Sequence, residues 1–180
     1  DPDMLEIELG IKPLPDIARH LFEHAPGQFI SNSGVFKPGL ELARHTYNLR
    51  VEKAFNGWQQ TAIQAALLGL ADEARTMLVA NVKNKHAGSR FPAFWGPNYD
   101  WVPDQDQAGN IFNTVQTMLM QADGKKILLF PAWPRDWEVA FKLHAPENTT
   151  VEGVYRDGKL EGLTVVPEAR RADVVVMDPQ

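Results

Sequence analysis

The feature that most constrains this chain is a change of period near residue 125. Upstream, apolar residues recur every three or four positions, as helices require. Downstream they alternate, as strands require. A chain that lists its helices first and its strands second segregates them in space. The expected class is therefore α+β, with a helical segment over 1–125 and a small antiparallel β-sheet or sandwich module over 126–180.

Within the helical part, Pro15-Asp16 open a helix that Pro26-Gly27 end, with Ile17 and Leu21 on one face. Residues 26–50 read as irregular, with a short helix near 40–47. Over 51–70 the pattern is strongly helical: Val51, Phe55, Trp58, Ala62 and Ala65 make a stripe, and Ile63, Ala66 and Leu67 widen it. Gly69 ends that helix, and Asp72 supports the start of another over 73–85. The short connection makes the two an antiparallel αα-hairpin. A loop over 86–105 leads to a helix over 107–121, with Ile111, Val115, Met118 and Leu119 inward. In the β part, strands are expected over 127–130, 138–144, 149–156, 160–166 and 173–177. Asp157-Gly158 carries the two-residue hairpin signal.

Composition removes several function classes. The net charge is −5, and no basic run or basic helix is present, which argues against a nucleic-acid or anionic-membrane surface. No apolar run reaches the length that spans a bilayer, and the opening residues lack a signal-peptide pattern. The absence of cysteine excludes disulfides, thiol catalysis and Cys-based zinc sites. The GxSxG nucleophile motif and a phosphate-cradling glycine loop are both missing, and no cofactor is expected.

Chemistry concentrates over 91–121. Phe91, Phe94, Trp95, Tyr99 and Trp101 lead into Asp104 and Asp106, and a helix begins there. Aromatic rings offer apolar faces with polar edges. Carboxylates move protons or activate water. Rings above acids suit a sugar-cleaving site, with Asp104 or Asp106 catalytic and Trp95, Tyr99, Trp101 and Trp58 against the substrate. The plainer alternative makes Asp106 an N-cap and the aromatic loop a core cover. A calcium loop fails on spacing, because Ala108 and Val115 fall where ligands are needed. His20 and His24 share a helix face but lack a third metal ligand, and His86 and His144 read as ordinary exposed residues, so no metal is expected. Gly57-Trp58 marks close helix packing or a ligand approach. Asn148-Thr149-Thr150 matches the N-glycosylation pattern, a common chance match.

The run from Asp106 to Pro134 resembles the end of the catalytic barrel in family 95 glycoside hydrolases, the 1,2-α-L-fucosidase group. The resemblance is carried by Asp106, Met118-Leu119-Met120-Gln121, Asp123-Gly124 and the strand-like Ile127-Leu128-Leu129-Phe130-Pro131-Ala132-Trp133-Pro134. It extends over roughly 50–180, with Gly57-Trp58 and the following hairpin in the place of the preceding αα-hairpin. It implies part of an (α/α)6 barrel followed by a β module. It further implies an inverting hydrolase acting on a carbohydrate, in a periplasmic or extracellular setting. The general acid Glu and two water-positioning Asn of that family would lie upstream. The family pattern is Asp-Gly-Asn, whereas Asp106 is followed by Gln107-Ala108-Gly109-Asn110, so the choice between Asp104 and Asp106 stays open.

The rival reading is a non-catalytic carbohydrate-binding or interaction module. It rests on the absence of a Glu in an aromatic, apolar setting, since Glu41, Glu52 and Glu73 read as solvated or capping residues. An incomplete barrel would also leave helix faces bare, and a homo-oligomer could cover them.

Overall fold

The computed structural model describes residues 37–51, 53–55, 59–83 and 106–179, with backbone alone at residues 37, 38, 106 and 107. The expected helix at residues 15–24 lies outside them. Described helices precede six strands, which is the α+β order.

Helix α1 spans Lys37–Leu49 and is longer than the short helix expected there. Pro38 falls in its first turn, where its missing N–H is no loss. Leu40 and Tyr47 are buried at helical spacing, with Ala43 packed beside them. The Arg44 Nε donates to the Leu68 carbonyl at 2.9 Å and ties α1 to the next hairpin.

The helix expected over 51–70 is much shorter. Helix α2 spans Thr61–Leu67 only, and residues 53–55 and 59–60 are not helical. Side chains take the partners that a helix ladder would have supplied. The Thr61 hydroxyl donates to the Ala54 carbonyl, and the Asn81 amide to the Phe55 carbonyl at 3.2 Å. Apolar periodicity alone could not show this competition.

Gly69, at φ 70°, ends α2. Its N–H donates to Ala66 and that of Leu70 to Ala65, the paired bonds of a Schellman motif. Helix α3, Ala71–Lys83, follows at once and completes the expected hairpin. Asp72 and Glu73 in its first turn and Lys83 in its last complement the helix dipole. Helix α4, Asp106–Leu119, packs against both. Met118 and Leu119 are buried, and Ile111 and Val115 pack on the core as their spacing predicts.

Helix α4 runs directly into strand β1, Met120–Asp123, instead of continuing to residue 121. Gly124, at φ 58°, turns the chain into β2, Lys126–Leu129. β2 pairs antiparallel with β1 and parallel with β6, Val174–Val176. The first sheet is therefore mixed, not antiparallel as expected. Its central strand carries the apolar run Ile127-Leu128-Leu129, as a strand buried on both faces does.

The second sheet is an antiparallel meander of β3, Val139–Ala145, β4, Thr149–Arg156, and β5, Lys159–Val166. Asp157 and Gly158 both have positive φ, as the type I′ turn demands. At Gly153 a β-bulge interrupts the β4–β5 register, and an added Cβ would meet Leu160 and Phe141 at 3.2 Å. A 3-10 helix, Glu168–Asp173, carries the chain from β5 to β6. Its buried Arg170 donates to the Thr149 hydroxyl at 3.0 Å and pairs with Asp173 and Glu147.

One turn joins the layers. The strand expected to run on through Phe130 stops at Leu129. Phe130 adopts φ 63°, and its N–H donates to Leu119 at 2.7 Å. Ala132 donates to Met118 at 3.1 Å, and residues 130–134 are buried throughout. The Phe130 ring lies 4.9 Å from that of Tyr155 and 6.1 Å from that of Phe141. A single cluster of buried side chains thus includes residues of the helices and of both sheets.

Candidate functional site

Asp106 is the first helical residue of α4, one position earlier than the sequence suggests. Asp104, Trp95, Tyr99, Trp101 and Trp58 lie outside the described residues, as does the Gly57 beside Trp58. The direction of α4 gives Asp106 its place. Gln121, just past the end of α4, donates through Nε2 to Ala66 at 2.9 Å, near the end of α2. The two helices therefore meet at their C-terminal ends, and α3 leaves from that same end. Fourteen residues at 1.5 Å each put Asp106 about 20 Å away along the α4 axis.

The far end of α4 is rigidly framed. Gln121 is buried and donates a second bond to Thr117 at 3.1 Å. The Trp133 indole donates to the Trp137 carbonyl at 3.0 Å. Trp137 in turn lies under the Arg75 guanidinium, which makes two 2.8 Å bonds to Asp136. These contacts fix the segment after α4 against α2 and α3.

A second polar cluster was not foreseen. Tyr47, near the end of α1, is 3% exposed, and its buried hydroxyl faces the Glu73 carboxylate. Lys53 Nζ lies 4.6 Å from the centre of its ring and the Arg50 guanidinium 5.7 Å. Lys53 also pairs with Glu73 at 3.5 Å. One Arg50 terminal nitrogen, Nη1, donates to Gln64, while its Nε is buried without a partner. Burial first, then the Glu73 carboxylate, pushes the Tyr47 phenol upward, with Arg50 opposing. Burial also holds Arg50 below its ordinary value, with Tyr47 opposing.

Glu73 therefore corrects the sequence reading. It does stand in the first turn of α3, but it is half-buried beside an aromatic ring and a lysine, not solvated. Glu41 is exposed and paired with Arg44, as expected, and Glu52 lies outside the described residues. The only early signal was the spacing of Tyr47, Arg50 and Lys53 by three. The helix expected over 51–70 hid it, because residues 53–55 are not helical.

The remaining candidates are plain. His144 is exposed, with its Nδ1 3.3 Å from the Thr150 hydroxyl, and His45 is exposed on α1. His20, His24 and His86 lie outside the described residues. Asn148 occupies an exposed turn at φ 51°. Among the described residues no three metal-ligating side chains converge, and no helix is long and apolar enough to cross a membrane.

No protein-family model matches the chain, and no curated protein matches it.

Proposed function

We propose that this chain supplies the aspartate end of an inverting glycoside hydrolase site in an (α/α)6 barrel similar to family 95. The observation that carries the reading is the continuity of one segment. Asp106 opens α4, and the same helix delivers the Met118-Leu119 pair, Gln121, Asp123-Gly124 and the buried turn at residues 130–134. The alternation of α2, α3 and α4 supports it, since an α/α barrel is built from helices that run in alternate directions. Leu49, Val51, Val82 and Phe112 are exposed apolar side chains that further hairpins of a barrel would cover.

In this reading Asp106 takes a proton from the attacking water. A helix N-terminus favours negative charge, which suits a base that must be ionised to act. The acid stands on the opposite side of the sugar, roughly 6.5–9.5 Å from the base, leaving room for that water. Trp95, Tyr99, Trp101 and Trp58 would present their faces to the sugar rings, with Asp104 the alternative base.

The reaction's stereochemistry tests this. In the protein carrying the whole barrel, cleavage of an α-1,2-linked L-fucoside should release β-fucose first, visible by proton NMR before mutarotation. Release of α-fucose would mean a retaining mechanism and no base role for Asp106. Binding of the glycan without cleavage would favour the non-catalytic module.

A further inference from the structure

We draw no further inference here: the strongest candidate, the surface patch that Val175 and Val176 of the edge strand β6 expose on the first sheet, is an apolar edge and nothing in the structure shows what covers it.

Discussion

Two stretches of this molecule leave regular structure, and they do so in opposite ways. After β2, residues 130–134 turn sharply while fully buried, and main-chain groups of α4 accept their N–H bonds. Between α1 and α2, residues 53–55 are not helical, and side chains from α2 and α3 hold the Ala54 and Phe55 carbonyls. The first stretch is apolar and closed. The second begins at Lys53, which pairs with Glu73 and stands over the Tyr47 ring. A buried turn with its main-chain bonds made can only serve as a frame.

The largest effect should come from the frame. Phe130→Ala removes a buried ring that packs on Phe141 and Tyr155 of the second sheet and should cost about 3–5 kcal/mol in urea unfolding. A loss below about 1 kcal/mol would mean the turn is not the junction described. Asn81→Ala should cost less, about 1–2 kcal/mol, by leaving the Phe55 carbonyl without its donor. Hydrogen exchange should show the opening confined to residues near 53–61; uniform loss of protection would contradict a local tether.

The alkaline limb sharpens the contrast. The folded state favours the neutral Tyr47 phenol, because burial and Glu73 push it upward. Above the ordinary phenol value near 10, the unfolded chain gives up this proton while the folded chain keeps it. Stability is therefore intact below that pH and falls as pH rises through it, by up to about 1.4 kcal/mol per unit for one proton. Tyr47→Phe removes this contribution. Its unfolding midpoint should drop less than that of the wild type between pH 9 and 11, and parallel drops would refute the assignment.

The sequence made the frame legible and the cluster illegible, for physical reasons. Alternation gave β4 at its observed bounds, and Asp157-Gly158 gave its hairpin. Gly69 gave the end of α2 because only a positive φ closes that turn cheaply. What failed was the start of α2. Its apolar stripe continues upstream through Phe55 and Val51, but hydrogen bonds from Thr61 and Asn81 take the Ala54 and Phe55 carbonyls. The parallel pairing of β6 with β2 was equally hidden, since a three-residue run of valine names no partner. Of the candidate site, Asp106 was placed within one residue of its helix, because a change from loop to helical period marks the boundary. The partnership of Tyr47 with Glu73, 26 positions on, depends on tertiary geometry that no local pattern encodes.

The central claim is that Asp106 is the base of a hydrolytic site. Turnover by Asp106→Asn, measured in the protein with its whole barrel and beside its unfolding midpoint, tests it most directly. The account predicts a loss of about 10²–10⁴-fold in kcat with the midpoint unchanged. Undiminished hydrolysis by Asp106→Asn, with Asp104→Asn inactive, would move the chemistry to Asp104; undiminished hydrolysis by both would contradict the account.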